Sequence, residues 1–262
     1  MSRPILTLTT DFGLDDHYVG AMKGVILGIC PEANIVDLSH GVRPFEITEG
    51  AYLIAQAWRC FPAGTVHVVV VDPGVGTSRR PILVEAGSQC FIGPDNGVLA
   101  LVYQAVPSRV RLISNSSLFR HPVSRTFHGR DIFAPVAAHV AAGLSPALAG
   151  DPIEDYLKPD FIRPHRAGKR TWTGRILKID RFGNIVTNFH ADDFGDLALR
   201  SFQFELGPVI VNVTAHTYAE TAPGELFAIV GSSGYYEISL AQGSAAAKVK
   251  CEAGAAVELL VW

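Results

Sequence analysis

Val66-His67-Val68-Val69-Val70-Val71-Asp72-Pro73-Gly74-Val75-Gly76-Thr77-Ser78-Arg79-Arg80 is the stretch that decides the fold. The run Val68 to Val71 has no polar alternation, as expected of a central strand covered on both faces, and such strands belong to sheets packed between helices. The polar residues that follow it fall where open α/β sheets bind ligands, outside the carboxyl ends of their strands. Further apolar runs lie on either side, at Ile5 to Thr9, Ile35 to Leu38, Ile82 to Glu85 and Val110 to Ile113. They alternate with stretches of helical period. Tyr18 to Ile29 places Val19, Met22, Val25, Ile26 and Ile29 on one helical face, and Pro31 closes it. Ile47 to Trp58 and Ile132 to Ala142 behave similarly. The expectation for residues 1–155 is an α/β domain with a mainly parallel central sheet.

From Asp151 the texture changes. Pro159 and Pro164 stand among charges with no apolar period, which reads as a linker over 156–170. Beyond it come short runs at Trp172 to Ile179, Ile185 to Asn188, Phe202 to Leu206, Val209 to Val213, Leu226 to Val230, Tyr236 to Leu240, Ala246 to Lys250 and Val257 to Val261. Turn residues separate them, notably Arg181-Phe182-Gly183-Asn184 and Gly231 to Gly234. Residues 171–262 are therefore expected to form a smaller all-β barrel.

Composition narrows the class of protein. The 262 residues are 48% hydrophobic and 18% charged, with a net charge of −3. Soluble proteins ordinarily carry about 25% charged residues, so a buried subunit interface is a simple reading of the shortfall. The slightly acidic balance argues against nucleic acid or an anionic membrane as partner, since both need clustered Lys and Arg. No run approaches the roughly 18 apolar residues of a membrane span. The apolar stretch before Asp11 is too short for a secretory signal, so the expected compartment is the cytoplasm. Cys30, Cys60, Cys90 and Cys251 form no Cys-x-x-Cys pair and read as buried free thiols.

Three polar clusters follow strands or open helices. In Thr9-Thr10-Asp11-Phe12-Gly13-Leu14-Asp15-Asp16-His17 the simple role of Asp15 or Asp16 is to cap the next helix. Asp11 stands ahead of the cap, where a carboxylate can accept both hydroxyls of a ribose. Asp72-Pro73-Gly74 is a turn sequence, but a turn needs neither an acid at its start nor Arg79 and Arg80 at its end. In Thr126-Phe127-His128-Gly129-Arg130-Asp131, Asp131 suits the first turn of a helix. His128 sits beside a glycine that allows close approach of a ligand.

Taken with Pro94-Asp95-Asn96-Gly97, Asp180 with Phe182-Gly183-Asn184, Thr187-Asn188 and Gly231-Ser232-Ser233-Gly234-Tyr235, these motifs stand in one order along nearly the whole chain. In that order the chain resembles the S-adenosylmethionine (SAM) hydroxide adenosyltransferases, relatives of the SAM-dependent fluorinating and chlorinating enzymes. The resemblance implies attack of water or hydroxide on C5′ of SAM, giving adenosine and L-methionine. It implies no cofactor and no metal, SAM being the substrate, and a homotrimer with each site at a subunit interface. Asp72, Arg79 and His128 match the family's catalytic set, with Arg80 the less fitting arginine by position. Asp11 would hold the ribose hydroxyls, and Phe45 stands where relatives place a Trp beside the sugar. Asp180 would pair with the methionine ammonium, Ser232 and Ser233 would serve the carboxylate, Asn184 would read the adenine edge, and Tyr218 replaces a stacking Phe. Each has a plainer reading as a turn or core residue.

The chemistry can be weighed separately. A sulfonium leaves as a neutral thioether, so departure needs no general acid, and the protein must supply orientation and an activated nucleophile. Free water has a pKa of 15.7. Asp72 or His128 can accept its proton, or hydroxide can be bound preformed, while Arg79 holds the carboxylate in a charge-assisted pair. The halogenating relatives carry an uncharged aromatic where this chain has Asp72 and a Ser where it has Gly129. A carboxylate there would repel a halide by roughly 4 kcal/mol at 4 Å and an effective dielectric of 20. Two rival readings differ in class. Asp11, Asp15 and Asp16 resemble the aspartate cluster of calcium-dependent nucleoside hydrolases, although Thr9 replaces the leading acid. A non-catalytic SAM or adenosine sensor would need Asp11, Asp180 and Asn184 but not Asp72, Arg79 and His128.

Overall fold

The computed structural model describes residues 3–159 and 163–262; Met1, Ser2 and residues 160–162 of the expected linker lie outside the described residues. The chain divides into two compact units after Pro159.

The first unit is built on a six-stranded mixed sheet. Its strands are β1 (Ile5–Thr10), β2 (Asn34–Ser39), β3 (Val66–Val70), β4 (Pro81–Ala86), β5 (Gln89–Pro94) and β6 (Ser108–Leu112), in the order β2-β1-β3-β5-β4-β6. β1 pairs with β2 and β3 in parallel, as does β3 with β5, whereas β4 is antiparallel to β5 and β6. The helices are α1 (Tyr18–Ile29), α2 (Ile47–Ala57), α3 (Ala100–Ala105) and α4 (Ala134–Ala141), the last preceded by a π-helical stretch at Gly129–Phe133.

β3 shows why the valine run is uninterrupted. Val66, Val68 and Val70 belong to a core shared with Met22 and Ile26 of α1 and Val136 and Ala137 of α4. Val69, with Val71 just past the strand, belongs to a second core with Ile54 of α2 and Val102 of α3. Alternate side chains of a strand point to opposite faces, so a strand with a core on each side must be apolar at every position. The one polar member, His67, is fully buried and satisfied, with Nδ1 2.7 Å from Thr7 Oγ1 and Nε2 2.6 Å from Gln89 Oε1.

β4 interrupts the parallel pattern, and its partner β5 is absent from the expected strands. The sequence of β5 starts with Gln and ends in Gly93-Pro94, which reads as a loop. Gly93 is tolerated because it packs against the Val69 carbonyl, where a Cβ would not fit. Gly87 and Ser88 both have positive φ, 55° and 66°, the backbone of the tight turn that joins β4 to β5 as a hairpin. Neither Asp15 nor Asp16 caps α1. His17 occupies that position with no side-chain capping bond, because the helix begins later than the acids allow.

The second unit is an antiparallel, nearly closed barrel. Its strands are β7 (His165–Arg166), β8 (Thr171–Ile179), β9 (Ile185–His190), β10 (Phe202–Leu206), β11 (Val209–Val211), β12 (Leu226–Val230), β13 (Tyr235–Leu240) and β14 (Ala256–Val261), running β11-β10-β14-β8-β9-β13-β12 with β7 beside β8. Beyond β11, the Ala215 N–H donates to the Ala228 carbonyl at 3.0 Å and the Ala228 N–H to Val213 at 2.8 Å, which joins the far ends of the sheet. Phe189, Phe204, Tyr236 and Leu259 fill the interior. Two short helices complete the unit, α5 (Ala191–Phe194) and α6 (Ala245–Val249). α6 corrects the strand expected at Ala246 to Lys250. Ser244 Oγ caps it by accepting the Ala247 N–H at 3.1 Å, three alanines favour the helix, and Lys250 ends it in the left-handed conformation.

Candidate active site

Register brings the first two acids together. Thr10 of β1 pairs with Val70 of β3 in parallel, so Asp11 and Asp72 leave neighbouring strands at the same carboxyl edge of the sheet. Burial and the nearby Asp72 carboxylate raise the pKa of Asp11, against the Phe45 N–H that donates to its Oδ2 at 2.9 Å. Phe45 presents that N–H from a left-handed backbone, φ 70°, with its ring 70% exposed. A bulky residue there is strained and persists only where its surroundings hold it. The Phe45 carbonyl accepts the Ile47 N–H at 3.0 Å, and two residues earlier Arg43 is anchored by its Nε–H donating to the buried Glu49 Oε2 at 3.1 Å.

Asp72 is bound from one side by Arg79. The Nε–H of Arg79 donates to Oδ1 at 3.1 Å and an Nη2 proton to Oδ2 in a very short contact. Both side chains are nearly out of solvent, 5% and 6% exposed. The same Nη2 lies 3.0 Å from Nδ1 of His128, and the guanidinium carbon sits 5.3 Å from the centre of the Phe133 ring. Arginine only donates, so His128 Nδ1 is the acceptor and the neutral ring carries its proton on Nε2. Burial and the Arg79 charge lower the pKa of His128. Arg79 Nη1 is buried without a hydrogen-bond partner, a donor turned to no protein acceptor.

Arg80, one residue on, does different work. It donates to Asp95 through Nε and Nη2 at 3.1 and 2.8 Å, and to Asp155 through Nη1 at 2.9 and 3.0 Å. Asp95 also accepts the Leu157 N–H at 2.8 Å, so Arg80 and Asp95 tie down the end of the first unit. Asn96 braces β3 directly, donating to the Val71 carbonyl at 2.8 Å.

The loop carrying His128 is organised by Asp131, which is fully buried. It accepts Nε and Nη2 of Arg130 at 2.7 and 2.9 Å, Arg120 at 3.2 Å and the Ser124 N–H at 2.8 Å. Asp131 is thus a hub for its loop as well as a first-turn charge. Gly76, φ 77°, lies so close to the Arg125 carbonyl that no Cβ fits, which packs the Asp72 loop on the His128 loop. A Cβ on Gly129 would meet Met22 Sδ at 3.3 Å, Phe127 at 3.4 Å and Phe12 at 3.5 Å. Phe12 and Phe127, with Tyr18 and Arg130, line an adjoining pocket of about 360 Å³.

The second unit holds the other expected residues in two groups. Asp180 Oδ1 accepts the N–H groups of Phe182 and Asn184 at 2.9 and 2.8 Å, and Oδ2 accepts Asn184 Nδ2 at 2.8 Å. These two side chains therefore engage each other across the β8–β9 turn. Tyr218, expected in place of a stacking Phe, is 53% exposed, which sets aside its plainer reading as a core residue. Its hydroxyl donates at 3.2 Å to Glu237 Oε2, on β13. Burial and Asp180 raise the pKa of Glu237, and its side chain fills the space a Cβ on Gly231 would need. Ser232 is exposed in the β12–β13 turn, and Ser233 Oγ accepts the Tyr235 N–H at 3.5 Å. Glu237 escapes sequence reading because it sits in an ordinary alternating strand. Among the described residues no group of three or more His, Cys, Asp or Glu is arranged to hold a metal ion. No helix is long and apolar enough to cross a membrane, again among the described residues.

Comparison with known proteins agrees over both units. Residues 6–150 match the SAM hydroxide adenosyltransferase N-terminal domain and residues 174–258 the C-terminal domain of that family. The (R)-S-adenosyl-L-methionine hydrolase of Salinispora tropica is 40% identical over 250 residues, covering 93% of this chain and 92% of that protein. A fluorinase of Nocardia brasiliensis is 27% identical over 99% of this chain and 97% of its own length. The crystal structure of an uncharacterized conserved protein from Thermotoga maritima superimposes with a TM-score of 0.86 at 37% identity, covering 98% of this chain and 99% of that one.

Proposed function

The chain belongs to the SAM hydroxide adenosyltransferase family, and from that premise we propose that it hydrolyses SAM to adenosine and L-methionine at the carboxyl edge of β1 and β3. The observation that carries the reading is the buried Asp72–Arg79–His128 chain standing beside Asp11. Water oxygen forms a bond to C5′ while the C5′–S bond breaks. The bonding pair leaves on sulfur, which departs as the neutral thioether of methionine. Because the sulfonium is its own activated leaving group, no cofactor takes part and no metal is required.

The geometry favours distinct roles for the three groups. His128 has its Nδ1 lone pair occupied by Arg79 and offers an Nε2–H, so it orients oxygen and does not take a proton. The Asp72 oxygens each receive one Arg79 N–H and keep further lone pairs. Asp72 accepts the water proton, and the Nε2–H of His128 donates to the nucleophilic oxygen. Held donors of this kind act without reorganisation during the reaction. The same carboxylate disfavours a halide nucleophile by Coulomb repulsion. The exposed ring of Tyr18, with Phe12 beside it, suits a cationic sulfonium.

Asp11 holds the ribose hydroxyls with Phe45 at the sugar, and Gly129 leaves room at the reacting carbon. Asp180 serves the ammonium, Ser232 and Ser233 the carboxylate, Asn184 the adenine edge and Tyr218 its face. The low charge and the exposed Phe45, Phe182 and Tyr218 support a subunit interface at each site, which we propose is that of a homotrimer, with the cytoplasm as the proposed compartment. The name of the Salinispora tropica relative specifies the (R) sulfonium epimer, so this chain is proposed to act on that epimer too. Incubating chelator-treated protein with SAM of each sulfonium configuration in H₂¹⁸O tests the reading. Adenosine with ¹⁸O at the 5′ position, plus methionine, is the expected result. Adenine release would indicate chemistry at C1′, and tight binding without product would indicate a sensor.

A further inference from the structure

We propose that His40 is a positioning residue for Asp11, holding the Thr10–Gly13 turn so that the carboxylate meets the ribose hydroxyls. The proposal rests on the reading of Asp11 as the ribose-binding acid. His40 lies outside every motif considered in the sequence, yet its side chain is 3% exposed and wedged between two polar partners. Nε2 is 3.0 Å from Asp37 Oδ1, and Nδ1 is 2.8 Å from Oγ1 of the fully buried Thr10.

The direction of each bond follows from what each group can do. Asp37 takes the Lys23 ammonium on Oδ2 at 2.6 Å and lies within ion-pair distance of Nε2 of His40, a buried nitrogen with no aligned hydrogen bond of its own. Nδ1 pairs with the Thr10 hydroxyl at 2.8 Å, accepting its proton when the ring is protonated on Nε2. Thr10 Oγ1 in turn accepts the Phe12 N–H at 3.2 Å. The hydrogen bonds from Phe12 to Thr10 and between Thr10 and His40 thus run in one line to a buried imidazole.

The backbone of His40 closes the grip from the other side. Its carbonyl accepts the N–H of Gly13 at 2.8 Å, where a positive φ of 67° turns the chain away from the sheet. The Val42 N–H reaches the Thr10 carbonyl at 3.4 Å. Thr10, Phe12 and Gly13, three of the four residues of the turn, are therefore tied directly or through one hydroxyl to His40. Asp11, the fourth, is held by Phe45, five residues further along the same loop. A side chain that specifies the turn around a binding carboxylate sets how well it can bridge two neighbouring hydroxyls.

The test is the preference of the protein for adenosine over 2′-deoxyadenosine as competitive inhibitors of SAM turnover, with KM and kcat measured alongside. A hydrogen bond to a charged group sets the wild-type preference at about ten- to a hundredfold. His40→Leu and Thr10→Val, which break the link from opposite ends, are expected to reduce it to within about threefold and to raise KM more than they lower kcat. His40→Asn, whose amide oxygen can accept the Thr10 hydroxyl, is expected to recover most of it. Thr10→Val keeps the shape of β1 and serves if His40→Leu does not fold. Wild-type preference in Thr10→Val or His40→Leu overturns the proposal and leaves His40 as a core residue. Wild-type preference in Asp11→Ala overturns the ribose reading itself, whatever the His40 variants do.

Discussion

Removing the Asp72 carboxylate should separate what the acid does for the fold from what it does for the reaction. Asp72 and Arg79 are 5% and 6% exposed and joined by two N–H contacts. Breaking a buried ion pair from one side costs about 3–5 kcal/mol, because the remaining charge stays buried without its partner. At roughly 2–4 °C per kcal/mol for a unit of this size, Asp72→Ala should lower Tm by about 6–20 °C. Asp72→Leu combined with Arg79→Met removes both charges and should recover much of that loss. Turnover should behave differently, falling by about 10² or more in the single variants and staying down in the double. Thermal unfolding followed by circular dichroism, with adenosine release followed by chromatography, measures both. Asp72→Ala turning over within tenfold of wild type would refute the reasoning. So would a double variant that regains turnover together with stability.

Arg80→Ala should leave turnover within a few-fold while Arg79→Met abolishes it, because Arg80 is committed to Asp95 and Asp155; equal losses in an activity assay would contradict the division. Gly76→Ala should reduce both Tm and turnover, since its Cβ would meet the Arg125 carbonyl at a positive φ and push the Asp72 and His128 loops apart; an unchanged melt would show that the contact yields. Burial pulls the His67 pKa down to about 4, from an ordinary value of 6.5. The unfolded chain then binds the extra proton between those limits, so stability present above pH 6.5 is lost as pH falls, by about 2 kcal/mol at pH 5. Urea unfolding of wild type against His67→Gln at pH 7 and 5 should show this difference, and parallel curves would exclude it. The lowered pKa of His128 keeps the ring neutral below the usual histidine range. The acid limb of kcat/KM should therefore begin below pH 6.5 and change in His128→Ala; a loss that starts above pH 6.5 would contradict the assignment.

What could be read from the residues follows the length scale of the signal. Val68 to Val71 announce a doubly covered strand because covering both faces removes every polar position. Strand β5 is hidden by Gly93 and Pro94, whose acceptability depends on the Val69 carbonyl of a neighbouring strand. In the alanine-rich α6 apolar content outweighs the Gly243-Ser244 start signal, so the segment reads as a strand although it folds as a helix. Asp72, Arg79 and His128 stand out as polar residues after a strand or before a helix, and Arg79 hydrogen-bonds to both of the others. His40 does not stand out, since its partner Thr10 is 30 residues away and an Asp-x-x-His spacing has no meaning without the fold. Glu237 is hidden for the same reason, its partner Tyr218 lying in a different segment of the barrel.

Because β3 divides its side chains between two separate cores and leads through Val71 directly into Asp72, stability and reactivity are not independently adjustable in this protein. A larger residue at Val68 would press on α1 and α4, and one at Val69 on α2 and α3; either would move the platform from which the carboxylate projects. Interiors packed to crystal density transmit such shifts instead of absorbing them. Engineering for heat resistance would do better in the barrel or on the outer strands, leaving β3 as the fixed reference against which the reacting groups are aligned.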